Sequence, residues 1–144
     1  MNRKEEALKR FREGFSCSQS VLSVFAPELG LEEKTALKVA GGFGGGMGRM
    51  ALTCGAVTGA YMVIGLKHGS THPAEKEAKQ KTQERVRQFR AKFEERNRSC
   101  ICRDLLGCDI STKEGIEEAT RRGLIQTVCP KLVGDAVEIL EEIL

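Results

Sequence analysis

Apolar side chains recur along most of the chain at the three- and four-residue spacing of amphipathic helices, and no stretch alternates strictly as a half-buried strand does. Gly14 and Pro27 follow the first two apolar stripes and are typical of helix ends. The pattern predicts helices over residues 2–13, 16–26, 31–40, 50–67, 73–97, 113–122 and 129–144. We therefore expect an all-α fold, a compact bundle of about six to seven helices.

The predicted helix over 50–67 differs from the others because it has no polar face. A helix that is apolar all round is usually buried, so we expect it at the centre of the bundle. No second apolar stretch accompanies it, which favours a core helix and no membrane insertion. Pro73 fits the first position of the next helix, and Cys129 with Pro130 fits the start of the last one.

Length and charge indicate a single domain over residues 1–144. A chain of 144 residues is typical of one domain and can bury a core. Its first residues, MNRKEEALKRF, alternate in charge along a helix, unlike an export signal, so we expect a cytoplasmic protein.

The net charge of +3 comes from residues 75–98, a basic helix without tyrosine or tryptophan for base stacking, and no nucleic-acid partner is expected.

A glycine-rich stretch, GGFGGGMGRMALTCG, occupies residues 41–55. Dense glycine indicates either unusual backbone dihedrals or close approach of another group to the backbone. The segment GMGRMA over residues 46–51 matches a dinucleotide motif only loosely, because no strand precedes it. We therefore expect no nucleotide cofactor. The glycines instead predict that another group approaches the backbone closely in this segment.

Cysteines carry the stronger signal for function. Clustered cysteines in a reducing compartment more often bind metal or perform redox chemistry than form a disulfide framework. Cys17 and Cys129 are predicted near helix N-termini, which favour the thiolate form needed for either chemistry. No C-x-x-C pair occurs, so the short spacings of zinc ribbons and thioredoxins are absent. The six cysteines are Cys17, Cys54, Cys100, Cys102, Cys108 and Cys129.

Four of these cysteines stand in a familiar order. Cys17, the segment CGAVTG over residues 54–59, Cys102 and Cys129 resemble the redox-active protein family named C_GCAxxG_C_C for its four cysteines and its C-G-A-x-x-G motif. The resemblance extends to FGGGMGRM before the motif, MVIGLKHG after it, CRDLLG and CPKLV. The chain is also similar to the cysteine-bearing domain of split-Soret cytochrome c, for which an iron–sulfur cluster has been proposed. It lacks C-x-x-C-H, so no attached haem is expected.

The resemblance implies that Cys17, Cys54, Cys102 and Cys129 act as one set, either as ligands of an iron–sulfur cluster or as redox thiols. It also implies that Gly55 and Gly59 let backbone approach a cofactor, although glycines four apart equally allow close helix packing. Cys100 and Cys108 lie outside the four-cysteine pattern. They could be additional metal ligands, resolving thiols or incidental.

Three functions follow as hypotheses. The first is an iron–sulfur protein that transfers electrons or senses redox state, with Cys17, Cys54, Cys102 and Cys129 as ligands. The second is a metal-free thiol–disulfide protein that uses the same four cysteines. The third is a structural zinc or helical interaction protein. We expect a redox partner protein, the sequence leaves a homodimer open, and no enzymatic reaction is assigned.

Overall fold

The first two helices begin where side chains can cap them. Asn2 accepts a hydrogen bond from the Glu5 N–H at 2.8 Å, and Glu5 accepts one in return from the Asn2 N–H. Ser16 and Gln19 form the same reciprocal pair at the next helix. Such capping boxes satisfy N–H groups that have no partner within the helix. The second box fixes Cys17 as the first residue of its helix.

The structure is a computed structural model that describes residues 1–144, and it contains no strand. The all-α prediction is confirmed, with eight helices, a short turn in the glycine-rich segment and two 3₁₀ turns, Pro27–Leu29 and Gly41–Phe43. The helix Cys102–Leu106 is additional to the prediction, because its 5 residues are too few to show an apolar period. The helices are α1 Arg3–Arg12, α2 Cys17–Phe25, α3 Glu33–Ala40, the turn α4 Gly44–Met47, α5 Gly55–His68, α6 Lys76–Asn97, α7 Cys102–Leu106, α8 Lys113–Arg121 and α9 Leu124–Ile143.

Helix α5 lies at the centre, as its apolar sequence predicts. Most of its residues are buried, and it packs against α2, α6 and α9. It begins at Gly55, so the predicted start at Met50 is wrong. The preceding residues are not helical because Ala51 has a left-handed φ of 58° and Thr53 pairs with Ile101 in an isolated antiparallel bridge. None of the helices combines the length and the apolar character needed to cross a membrane.

The last helix also begins elsewhere than predicted. Helix α9 starts at Leu124, so Cys129 and Pro130 lie in its second turn and not at its N-terminus. Pro130 provides no N–H for the carbonyl of Gln126, four residues earlier. The long buried face of α9 outweighs this loss, and the helix continues through the proline.

Helix α6 begins at Lys76 and not at Pro73. The residues before it form a separate turn, in which Glu75 accepts hydrogen bonds from the backbone and the hydroxyl of Thr71. The His72 ring accepts another from the Ala74 N–H. These local bonds compete with the helical ladder and delay its start.

Buried apolar side chains form two clusters. The larger contains 23 residues, including the stacked rings of Phe89 and Phe93, and holds α2, α5, α6 and α9 together. The smaller contains seven residues, including Cys102 and Cys129, and packs under α7 and α8. Cys54 belongs to the larger cluster, whereas Cys102 and Cys129 belong to the smaller one.

Two glycines of α5 should respond in opposite ways to alanine. A Cβ at Gly59 would lie 2.9 Å from the Ser18 carbonyl oxygen, whereas a Cβ at Gly65 would meet nothing within 4 Å. We expect Gly59→Ala to destabilise the protein by about 1–3 kcal/mol through overpacking. Gly65→Ala should stabilise it by about 0.5–1 kcal/mol because glycine is a poor helix former. Urea unfolding followed by circular dichroism measures both, and equal changes would contradict the close packing of α5 on α2.

Candidate redox centre

Four cysteines from four helices line one cavity of about 1250 Å³. Cys17 is the first residue of α2, Cys54 precedes the first residue of α5, Cys102 is the first residue of α7, and Cys129 lies on α9. They are the four positions that the family resemblance singles out. The structure therefore brings together residues that are far apart in the sequence.

A short pairing of backbone holds two of these cysteines side by side. The Cys54 N–H donates to the Cys100 carbonyl at 2.8 Å, and the Cys102 N–H donates to the Leu52 carbonyl at 2.6 Å. These bonds flank the bridge between Thr53 and Ile101. They place the N-termini of α5 and α7 next to each other, so that the first turn of each helix faces the cavity.

The glycine-rich stretch forms a left-handed turn on the cavity wall. Five consecutive residues have positive φ, between 61° and 71°: Gly45, Gly46, Met47, Gly48 and Arg49. Left-handed backbone is unfavourable for residues with a Cβ, so glycine at three of the five positions lowers the cost of the turn. Consecutive strained residues of this kind are concentrated at functional sites in proteins.

At position 46 the turn requires glycine because a side chain there would collide with Cys102. A Cβ at Gly46 would lie 2.7 Å from the Cys102 Cβ and 2.7 Å from the Leu52 nitrogen. The cysteine side chain therefore occupies the place where a side chain of residue 46 would be. The glycine run signals a close approach, but only the folded chain shows which glycine meets a cysteine.

The two glycines predicted to face a cofactor have different surroundings. Gly55 lines the cavity, and a Cβ there would lie 3.1 Å from the Cys17 Cβ. Gly59 does not line the cavity and instead lies against Ser18 and Val21 of α2. The structure thus supports close approach to a cysteine at Gly55 and helix packing at Gly59.

Cys100 and Cys108 lie outside the cavity lining. Cys100 is buried in the larger cluster, where burial and then the Glu94 carboxylate raise the pKa of its thiol to about 11. Cys108 is half-buried and packs against the smaller cluster. All six cysteines are free thiols.

Burial keeps two of the cavity thiols protonated. It raises the pKa of Cys54 and of Cys102 to about 12, because a thiolate loses hydration in apolar surroundings. The backbone N–H groups of Ala56 and Val57, in the first turn of α5, lower the pKa of Cys54 and so act in the opposite direction, and the Val57 N–H also donates to the Cys54 carbonyl at 3.0 Å. Those N–H groups would stabilise negative charge on this sulfur.

Cys17 and Cys129 shift each other's pKa in opposite directions. The neighbouring Cys129 thiol, and then burial, raise the pKa of Cys17, whereas Cys17 lowers the pKa of Cys129. Cys129 is therefore the first of the pair to become a thiolate. The prediction that helix N-termini favour both thiolates is wrong, because Cys17 begins α2 and still has a raised pKa, and Cys129 lies in the second turn of α9, where Cys17 lowers its pKa.

The spacing of the thiols matters for the kind of metal group that would fit. No three Cys, His, Asp or Glu side chains are close enough to share one metal ion. The four cysteines nevertheless surround one cavity, and each of Cys17, Cys54 and Cys102 has its pKa raised by at least one of the other three. The donor set on the cavity wall is all sulfur, the ligand type of soft metals and of iron–sulfur clusters.

A family model described as "Putative redox-active protein (C_GCAxxG_C_C)" matches residues 15–143. The chain belongs to this family. The matched residues include all four cysteines of the cavity and the glycine-rich turn. No curated protein and no solved structure matches the chain significantly.

Proposed function

We propose that this member of the family binds an iron–sulfur cluster through Cys17, Cys54, Cys102 and Cys129 and transfers electrons or senses redox state. The observation that carries the proposal is the convergence of these four thiols, from four helices, on one cavity. Cysteine thiolates are the usual ligands of iron–sulfur clusters. A bound cluster would supply one-electron chemistry at this place in the fold.

The surroundings of the thiols suit this role. The backbone N–H groups of Ala56 and Val57 lower the pKa of Cys54, and N–H groups near ligand sulfurs tune the potential of such centres. Gly46 and Gly55 leave room beside Cys102 and Cys17. Apolar side chains form much of the cavity wall around the thiols, and the apolar surroundings of a redox centre influence its potential.

The spectrum of protein purified without oxygen tests the proposal. We expect a broad visible absorption that fades on chemical reduction and an electron paramagnetic resonance signal in one of the two redox states. A colourless protein with no such signal, after reconstitution with iron and sulfide, would contradict the proposal. The zinc content of the same sample tests the structural zinc alternative.

A thiol–disulfide function is the second candidate, and the contact between Cys17 and Cys129 favours it. Forming a disulfide between them releases two protons and two electrons, which a disulfide of a partner protein would accept as it becomes two thiols. The Cys129 thiolate would attack the partner's disulfide, and Cys17 would then displace the partner by attacking the Cys129 sulfur. The redox partner and a homodimer stay predictions.

Peptide mapping of the metal-free protein after air oxidation tests this candidate. A peptide pair linked through Cys17 and Cys129 is expected, and it should disappear on reduction. Cys100 supplies the comparison, since its buried thiol lies outside the cavity and should remain unpaired. A map with both Cys17 and Cys129 free would contradict the thiol–disulfide function and leave the cluster proposal untouched.

A further inference from the structure

The cavity extends well beyond the four cysteines that line it. Its volume of about 1250 Å³ exceeds the roughly 300–1,000 Å³ of common small-molecule sites. Away from the cysteines, its wall is mainly apolar and comes from the ends of α1, α7, α8 and α9. The apolar side chains include Phe11, Phe15, Leu105, Ile116, Ile125 and Leu132.

The charges on the cavity wall are all of one sign. Arg12 and Arg49 are its only charged residues, and no carboxylate lines it. Both side chains are exposed, and neither forms an ion pair, although eleven ion pairs are present elsewhere in the protein. Two unpaired guanidinium groups beside an apolar space attract an anion and have no internal carboxylate to compete with it.

Both arginines line the same cavity. Arg12 is the last residue of α1, and Arg49 ends the left-handed turn. The segment that follows Arg12 lies against the segment that precedes Arg49, because a Cβ at Gly44 would be 2.7 Å from the Ser16 Cβ. The stem of Arg49 lies over Gly45, which holds it against the cavity wall.

The backbone of Arg49 adopts a strained conformation. Its φ of 61° is left-handed, a conformation that costs a residue with a Cβ about 1–2 kcal/mol. Glycine would relieve that strain, yet the chain has arginine at this position. The guanidinium therefore stands beside the cavity at a conformational cost.

We propose that the cavity binds an organic carboxylate with an apolar body, whose carboxylate is held by Arg12 and Arg49 while the body lies against the apolar wall. This goes beyond the proposed function and uses arginines and apolar side chains instead of the cysteines. The ligand would lie beside the thiols, within the same cavity.

Binding of 2-naphthoate to the full-length protein purified without oxygen tests the proposal. The control ligand is 2-naphthamide, which has the same ring system but no charge. Calorimetric titration should show saturable binding of 2-naphthoate and weaker binding of the amide. The double variant Arg12→Gln, Arg49→Gln should lose about a hundredfold in affinity, because each charge-assisted contact contributes about tenfold. Arg87→Gln is the matched control, since Arg87 is also exposed and unpaired but lies on α6 away from the cavity.

A second variant protects the test against a folding defect. Arg49→Gly removes the guanidinium and relieves the left-handed strain, so it should weaken 2-naphthoate binding without loss of stability. No binding of 2-naphthoate, or equal binding by the wild type and the double variant, would overturn the proposal. Iron content measured on the same samples separates the two ideas, because the arginine variants should keep the iron of the wild type.

Discussion

Gly46→Ala is expected to lower the free energy of unfolding by about 2–5 kcal/mol and to abolish the proposed iron binding. Left-handed backbone costs an alanine about 1–2 kcal/mol. A methyl group 2.7 Å from the Cys102 Cβ adds an overpacking cost of about 1–3 kcal/mol. Relief of that contact would push Cys102 from its place in the cavity. Chemical denaturation and iron analysis of protein purified without oxygen measure the two effects.

Gly48→Ala is the matched control for this substitution. Gly48 belongs to the same left-handed turn, with φ of 64° against 71° at Gly46, so both alanines suffer similar backbone strain. A Cβ at Gly48 would meet only the Gly42 carbonyl oxygen, at an ordinary 3.8 Å. We expect Gly48→Ala to lose about 1–2 kcal/mol and to keep its iron. Equal loss of iron in both variants would show that the turn, and not the contact with Cys102, controls the site.

Cys54→Ala is expected to abolish iron binding while the protein stays folded. Cys54 is only 4% exposed and lies in the larger apolar cluster, so loss of its sulfur should cost about 0.5–3 kcal/mol of stability. A three-cysteine site would lack one of the four proposed ligands, the one whose pKa the N–H groups of Ala56 and Val57 lower. Iron analysis, with far-UV circular dichroism on the same sample, measures the outcome.

Cys100→Ala gives the sharpest comparison. Cys100 is also 4% exposed, belongs to the same cluster and faces Cys54 across the backbone bond of 2.8 Å. The two variants should lose similar stability, but only Cys54→Ala should lose iron, because Cys100 does not line the cavity. Retained iron in Cys54→Ala, or loss of iron in Cys100→Ala, would reject the assignment of the four ligands.

The sequence predicts the helices well where an apolar period runs between clear start and stop signals, as in α1 and α2. It fails at the start of α5, because the residues before Gly55 are held by a bridge to Ile101, which is distant in the sequence. It also misplaces the start of α9, where tertiary packing carries a helix through Pro130. Local signals could not reveal either contact.

The candidate site was predictable only in part. The set of Cys17, Cys54, Cys102 and Cys129 came from the family resemblance, since their separations along the chain match no simple metal motif. The glycine run predicts that some group approaches the backbone closely, but it does not predict that Cys102 is the group that contacts Gly46. The cavity, with Arg12 and Arg49 on its wall, forms only when segments far apart in the sequence pack together, which no local pattern encodes.

The determination of iron and acid-labile sulfide per chain, in protein purified without oxygen, tests the central claim most directly. Iron and inorganic sulfide should be present together, and both should be absent when Cys17, Cys54, Cys102 and Cys129 are replaced by serine. Protein that contains neither element after reconstitution, or that keeps both in the four-serine variant, would contradict the claim that these cysteines hold an iron–sulfur cluster.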